Sequence, residues 1–158
     1  FLDMPGFMLG SHAERIATMR RGARALIASA ECQVPKIEFM VRKSYGVAAD
    51  APNSIGLPNG INLRFGWPSG EWGGIPIEGG VAAAYRREIE AADDPAAHRE
   101  AIEERLLRLR SPFKAAHKGD VVDLIDPRET RALACRFVKL AQPKLAELAN
   151  RPKRAVRP

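Results

Sequence analysis

The chain has 158 residues, of which 46% are hydrophobic and 28% are charged. These values are typical of one globular domain and exclude a disordered chain. The apolar runs are far shorter than the ~20 residues of a transmembrane helix, so we expect no membrane span. We also expect no signal peptide, because Pro5 and Gly6 interrupt the apolar N-terminus and no basic region precedes them.

The net charge is +6, and much of it lies at one end of the chain. The segment RPKRAVRP (151–158) carries four basic residues, and without it 21 basic and 19 acidic residues remain. We therefore predict a domain at 1–150 followed by a basic tail at 151–158. Nucleic-acid binding is not expected, because the sequence lacks an RNA-binding motif and a base-stacking aromatic cluster.

The N-terminus and the cysteines indicate the context of the chain. FLDMPG (1–6) has the pattern of a strand end followed by a loop, which predicts a piece of a longer chain. Cys32 and Cys135 lie outside any CxxC pattern, and we interpret them as buried free thiols. Free thiols favour a reducing, cytoplasmic location.

The first predicted unit is a strand–helix–strand. FLDM (1–4) ends a strand, and residues 12–32 suit an amphipathic helix with Ser11 and Glu14 as its capping box. KIEFMVR (36–42) alternates as a second strand. Such a unit implies a parallel pairing of the two strands with a right-handed crossover.

The stretch KSYGVAAD (43–50) comes next, where the second strand ends in small residues. A strand of this kind can turn directly into a helix, whose first N–H groups have no partner within the helix. Two such groups can stabilise a developing oxyanion. The alternative is a tight junction in which small side chains only avoid clashes, and the local pattern alone favours that alternative.

A glycine-rich passage follows the next predicted strand, INLRFGWP (61–68). Residues 66–80 contain six glycines. Backbone of this kind can lie close to a ligand or to another backbone, and the alternative is a mobile surface loop.

Two helical segments, 79–92 and 96–119, are predicted after the glycine-rich passage. Ser111-Pro112 breaks or kinks the second one, and Gly119 is a candidate for its C-cap.

The last predicted elements are a short strand, DVVDLID (120–126), and a helix that follows it. Asp126, Pro127 and Glu129 mark the start of this helix, and Pro143 ends or bends it. The alternation of strands and helices along the chain predicts an α/β fold.

The side chains show little recognisable catalytic machinery. The sequence lacks G-x-S-x-G, Walker A and HExxH motifs. His12, His98 and His117 are scattered over polar positions in or beside helices, so we expect no metal site. The remaining candidates for catalysis are therefore the backbone N–H groups that follow the second strand.

Four segments in order carry a family resemblance: DMPGFMLGS (3–11), ECQVPKIEFMVRKSYGVAAD (31–50), GWPSGEWGG (66–74) and DVVDLIDPRETR (120–131). They resemble the C-terminal half of the carboxyltransferase (beta) subunit of biotin-dependent acyl-CoA carboxylases, of the acetyl- and propionyl-CoA carboxylase type. The resemblance implies a crotonase-like α/β fold, a ββα superhelix. It also implies that a homologous N-terminal half chiefly holds the acyl-CoA.

The implied function is carboxyl transfer from carboxybiotin to the α carbon of an acyl-CoA, at an interface between subunits. By resemblance, the backbone amides of Val47 and Ala48, beside Gly46, polarise the ureido oxygen of biotin. The residues implied on the substrate side are Ala49, Asp50, Gly6 and Phe7. Biotin is carried by a partner protein or domain, and no side-chain general base is required.

The implied partners are the N-terminal carboxyltransferase half, a biotin carboxyl carrier and a biotin carboxylase, within a homo-oligomer. Val47 stands where the family usually has glycine, and Ala49 stands where it usually has an aromatic residue. Two alternatives therefore stay open. One is the alpha-subunit domain of a biotin-dependent acyl-CoA decarboxylase, and the other is a non-catalytic oligomerisation module of the same fold.

Overall fold

The computed structural model describes residues 1–32, 34–50 and 61–149. The predicted basic tail at 151–158 lies outside the described residues. Across the described ranges, no helix combines the length and apolar character needed to cross a membrane.

Within these ranges, five strands form one parallel sheet. The strands are β1 (Leu2–Met4), β2 (Lys36–Tyr45), β3 (Asn62–Gly66), β4 (Glu71–Gly73) and β5 (Asp123–Leu124). Their order is β1-β2-β3-β5, and β4 also pairs with β2. The parallel pairing of β1 with β2 confirms the predicted strand–helix–strand unit.

The described helices lie between and after these strands. They are α1 (Ser11–Arg15), α2 (Thr18–Ala30), α3 (Gly46–Asp50), α4 (Ile77–Ala84), α5 (Arg86–Glu90), α6 (Pro95–Leu109), α7 (Pro112–Lys118) and α8 (Thr130–Ala149). The fold is therefore α/β, as predicted.

Strand β2 is the centre of the sheet. On one side it pairs with β1. On the other side, residues 36–40 of β2 pair with β3 and residues 43–45 pair with β4. Strands β3 and β4 therefore follow one another along the same side of β2, and the C-terminal end of β2 is paired up to the residue where α3 begins.

Both faces of the sheet carry a buried cluster. The side chains of β2 alternate between the two faces and contribute to both clusters. On one face, Met40 packs with Leu2, Ala49 of α3 and Val121. This α3-side cluster anchors the helix that follows β2.

The opposite face carries a second cluster made by Phe39, Phe65 and Ile125. Leu133 and Ala134 of α8 pack against it. Asp126 starts the α8 segment with the predicted capping box: its carboxylate accepts from the backbone N–H of Arg128, and Glu129 accepts from the N–H of Asp126.

A third cluster lies away from the sheet, between α4 and α6. It consists of Ile77, Val81 and Ile102, with Tyr85 and Leu106 packed against it. These helices form a separate wall that faces the C-terminal end of β2.

The prediction of one helix over residues 12–32 is wrong. Ala17 has a left-handed backbone with φ 56°, which separates α1 from α2. The N–H of Ala17 bonds to the carbonyl of Glu14, three residues back, so the helical ladder is interrupted there. The capping box with Ser11 is also wrong, because Gly10 precedes α1 and no side-chain cap forms.

Three other boundaries differ from the predictions. The helix expected at 79–92 is interrupted at Tyr85, and the strand expected at 120–126 is reduced to Asp123–Leu124. Helix α8 does not end at Pro143 but continues through it to Ala149, and a bend at Pro143 stays a prediction. Gly119 does end α7 in a left-handed conformation, as predicted.

The prediction of two buried thiols is wrong for Cys135. Both cysteines are free, but Cys32 is only half-buried and Cys135 is exposed. Cys135 lies on the solvent side of α8, whereas Phe137 of the same helix is buried.

Candidate active site at the end of strand β2

The chain passes from β2 into α3 without an intervening loop, as predicted. Tyr45 is the last residue of the strand and Gly46 is the first of the helix. Gly46 has a φ of +60°, and a Cβ added to it would lie 3.1 Å from the carbonyl oxygen of Gly74. Both the backbone conformation and the close neighbour favour glycine here.

The side chains of α3 differ in their exposure. Ala48 and Ala49 are buried, each at 2% exposure, whereas Val47 is 53% exposed. Small residues are therefore needed where the helix packs on the α3-side cluster, and Val47 occupies the solvent side. The side chain of Asp50 lies outside the described part of the chain.

The loop after β1 reaches the same junction. Gly6 has a φ of +112°, and a Cβ there would lie 3.7 Å from the Pro76 ring and 4.0 Å from the Tyr45 carbonyl oxygen. Phe7 points elsewhere: its ring lies against Gly22 of α2, where an added Cβ would come within 2.9 Å of the Phe7 Cε1 atom. The structure thus brings Gly6, but not the ring of Phe7, to the end of β2.

A cleft of about 980 Å³ opens beside the junction, between the end of the sheet and the α4–α6 wall. Gly46 and Ala49 line it, together with Arg64, Trp72, Arg110 and Lys118. Val47, Ala48, Gly6 and Phe7 are not part of its lining. Of the predicted residues, Gly46 and Ala49 therefore face the cleft. Val47, Ala48 and Gly6 lie at the junction beside it, and the ring of Phe7 lies elsewhere.

A polar network at the cleft was missed by the sequence reasoning. The Tyr45 hydroxyl donates to Oε2 of Glu71 at 3.0 Å, and Nη1 of Arg110 donates to the same oxygen at 3.2 Å. Burial raises the pKa of Tyr45 above its ordinary value, so its phenol stays protonated at neutral pH. Tyr45 therefore braces Glu71 and is not a base.

A buried ion pair was also missed. Nε of Arg64 lies 2.9 Å from Oε2 of Glu38, and Nη2 of Arg64 donates to the carbonyl oxygen of Ala49 at 3.4 Å. Glu38 and Arg64 are register partners on β2 and β3. In the sequence each occupies an ordinary polar position of an alternating strand, so only the register reveals the pair.

Part of the glycine-rich passage lies close to another backbone, as one alternative predicted, because the carbonyl oxygen of Gly74 approaches Gly46. Other glycines of the passage have a role that was not predicted. The indole of Trp72 lies against Gly66 and Gly70, where added Cβ atoms would come within 2.9 Å and 2.7 Å of its Cη2 atom. A Cβ at Gly73 would lie 2.8 Å from the Tyr45 ring. These three glycines make room for aromatic side chains, and strand β4 runs through the passage.

Within the described ranges, no group of three or more His, Cys, Asp and Glu residues is placed to hold a metal ion. The arrangement at the end of β2 instead offers backbone groups. A helix start next to a cleft, with glycine at its first position, lets the oxygen of a ligand approach the first N–H groups.

Comparison with known proteins identifies the family of this chain. The carboxyl transferase domain family matches residues 1–156. A propionyl-CoA carboxylase carboxyltransferase subunit of Haloferax mediterranei is 41% identical over 132 residues, covering 83% of this chain and 25% of that protein. The methylmalonyl-CoA carboxyltransferase 12S subunit of Propionibacterium freudenreichii subsp. shermanii is 41% identical over 131 residues, covering 82% of this chain and 25% of that protein.

A decarboxylase subunit is also similar. The methylmalonyl-CoA decarboxylase subunit alpha of Propionigenium modestum is 35% identical over 131 residues, covering 82% of this chain and 25% of that protein. The chain thus spans about a quarter of the length of the curated relatives that it matches.

The solved structures agree with the sequence comparison. The transcarboxylase 12S crystal structure, a hexamer described with methylmalonyl-coenzyme A bound, superposes with a TM-score of 0.72 at 34% identity. It covers 99% of this chain and 28% of that one. With the family match extending over residues 1–156, the chain belongs to the carboxyl transferase domain family and has its crotonase-like fold.

Proposed function

We propose that this chain supplies the biotin-facing part of a carboxyltransferase, which moves a carboxyl group from carboxybiotin to the α carbon of an acyl-CoA. The observation that carries the proposal is the glycine-started junction of β2 and α3 beside the cleft, in a chain of the carboxyl transferase family. The acyl-CoA is assigned to a homologous N-terminal half, which completes the site across a subunit interface.

The junction suits a flat ureido group. Gly46 has no side chain, and a Cβ added to Gly74 would meet nothing within 4 Å. Biotin, when carried to the site by its partner, supplies a transferable carboxyl group and a ring nitrogen that accepts the substrate proton. The backbone N–H groups of Val47 and Ala48 are the donors proposed for the ureido oxygen, where negative charge develops.

The remaining predicted residues have supporting roles in this proposal. Ala48 and Ala49 hold α3 against the sheet, and Gly6 keeps the loop after β1 close to the junction without filling it. Asp50 and Phe7 remain proposed substrate-side residues. Since the ring nitrogen of biotin would accept the substrate proton, the proposal requires no side-chain general base.

The proposed partners are the N-terminal carboxyltransferase half, a biotin carboxyl carrier and a biotin carboxylase, in a cytoplasmic homo-oligomer. An isolated chain lacks the acyl-CoA half and is expected to be inactive. Decarboxylation of malonyl-CoA or methylmalonyl-CoA by this chain alone, at the rate of the complete enzyme, would contradict the two-half arrangement.

The direct test of the oxyanion role is Val47→Pro in the complete enzyme. Proline removes one N–H but is accepted in the first turn of a helix. Loss of one donor of this kind costs about 3 kcal/mol, or roughly a hundredfold in kcat. Carboxyl transfer from radiolabelled substrate measures the loss.

The controls for this test are Val47→Ala and Val47→Gly, which keep the N–H and remove the exposed side chain. Both are expected to retain transfer, and glycine restores the residue usual in the family. If Val47→Pro retains full activity while folded, the amide at 47 is not a catalytic donor, and the oligomerisation module becomes the better interpretation.

The decarboxylase alternative keeps the same site and reverses the direction of transfer. It is favoured by the similarity to the methylmalonyl-CoA decarboxylase subunit alpha. Purification of the native complex distinguishes the two, because a biotin carboxylase in the complex supports carboxylation and a membrane decarboxylase subunit supports the alternative.

A further inference from the structure

A charged pair lies in an otherwise apolar part of the sheet. Arg64 is only 3% exposed, and its Nε lies 2.9 Å from Oε2 of Glu38. Glu38 is two residues from Met40 on β2, so both side chains point to the face that carries the α3-side cluster. Burying two charges costs desolvation, and apolar residues of similar volume often serve stability as well or better. The pair therefore calls for a role other than stability.

Arg64 also reaches the helix that follows β2. Its Nη2 donates to the carbonyl oxygen of Ala49 at 3.4 Å. The final carbonyl groups of a helix have no partner within it. A five-residue helix such as α3 is also too short to be stable without contacts to the rest of the fold. Arg64 thus ties the C-terminal part of α3 to β3, while Glu38 fixes the guanidinium from β2.

We propose that Arg64, oriented by Glu38, is a positioning residue that sets the placement of α3 and thereby of the Val47 and Ala48 amides. This inference rests on the proposed carboxyltransferase function for its catalytic consequence. Ala49 directly follows the two amides, so a shift of its carbonyl turns them. A misplacement of about 1 Å at a catalytic group can cost about a hundredfold in rate.

The test is the double variant Glu38→Leu/Arg64→Met in the complete enzyme. It removes both charges together and keeps apolar volume, so the melting temperature is expected to stay equal to that of the wild type or to rise. We expect kcat for carboxyl transfer to fall by about tenfold to a hundredfold, with an unchanged KM for the acyl-CoA. Hydrogen exchange of a peptide containing residues 46–50 is expected to become about tenfold faster, because α3 loses its tether.

Two further variants complete the design. Arg86→Gln/Glu90→Gln removes an exposed ion pair on α5 and is expected to change none of these quantities. Arg64→Lys keeps the charge but not the two-sided fork of the guanidinium, so its kcat is expected to lie between those of the wild type and the double variant.

The outcomes separate the two proposals. A complete wild-type enzyme that transfers no carboxyl group contradicts the proposed function. Unchanged exchange at 46–50 in the folded double variant overturns the positioning role of Arg64, whatever reaction the enzyme performs. A double variant with wild-type kcat in an active enzyme overturns it as well.

Discussion

The substitution Gly46→Ala tests the junction most directly, because two independent features exclude a side chain there. Alanine in the left-handed conformation costs about 1–2 kcal/mol. Alanine also lowers the conformational entropy of the unfolded chain, which offsets about 0.4–1 kcal/mol of this cost. The added Cβ would also lie 3.1 Å from the carbonyl oxygen of Gly74, which must move. We expect a net loss of about 1–2 kcal/mol in the free energy of unfolding.

Gly79→Ala is the matched control for this measurement. Gly79 also has a positive φ, +81°, but a Cβ there would meet nothing within 4 Å. Urea denaturation of the wild type and both variants separates backbone strain, which the two share, from the contact with Gly74, which only Gly46→Ala suffers. Carboxyl transfer in the complete enzyme is expected to fall in Gly46→Ala more than in Gly79→Ala. Equal stability of the wild type and Gly46→Ala would refute the left-handed junction, and equal losses in both variants would refute the constraint from Gly74.

Two more predictions concern the aromatic residues around the cleft. Gly70→Ala places a Cβ 2.7 Å from the Cη2 atom of Trp72 and is expected to cost about 1–3 kcal/mol in urea denaturation. In the background Trp72→Leu the same change should cost much less, and an equal cost in both backgrounds would rule out this contact. Because the folded-state pKa of Tyr45 is raised by burial, its contribution to stability is fully present below the ordinary tyrosine pKa of 10.0 and is lost as pH rises through the folded value. Urea midpoints of the wild type should therefore fall more steeply above pH 10 than those of Tyr45→Phe, and parallel curves would contradict the shift.

Local signals in the sequence predicted the elements whose causes are local. Asp126 and Glu129 form their capping box because both partners lie within one turn of the helix start. Gly119 ends α7 by adopting a left-handed conformation, which glycine does without help from distant residues. The small residues after Tyr45 likewise predicted the turn into α3.

The features that were missed depend on residues far apart in the chain. Strand β4 was not predicted, because the glycines around it look like loop residues in the sequence. The structure shows that Gly66 and Gly70 instead make room for the Trp72 ring. Glu38 and Arg64 have polar side chains at positions that an alternating strand usually exposes, but they pair with each other and Arg64 is buried against α3. Neither the strand register nor this cover can be read from hydrophobic periodicity.

The central place of β2 in the sheet has a consequence for handling the protein. Three of the four strand pairings among the described residues involve β2, and along one side its only cover is the three-residue strand β1. A chain that began after Met4 would present unpaired N–H and C=O groups of β2 to solvent and would uncover Phe39, on which Phe1 stacks. Such an open edge recruits strands from other molecules. Loss of residues 1–4 is therefore expected to promote aggregation, and because Leu2 packs with Ala49 it is also expected to loosen α3 at the junction.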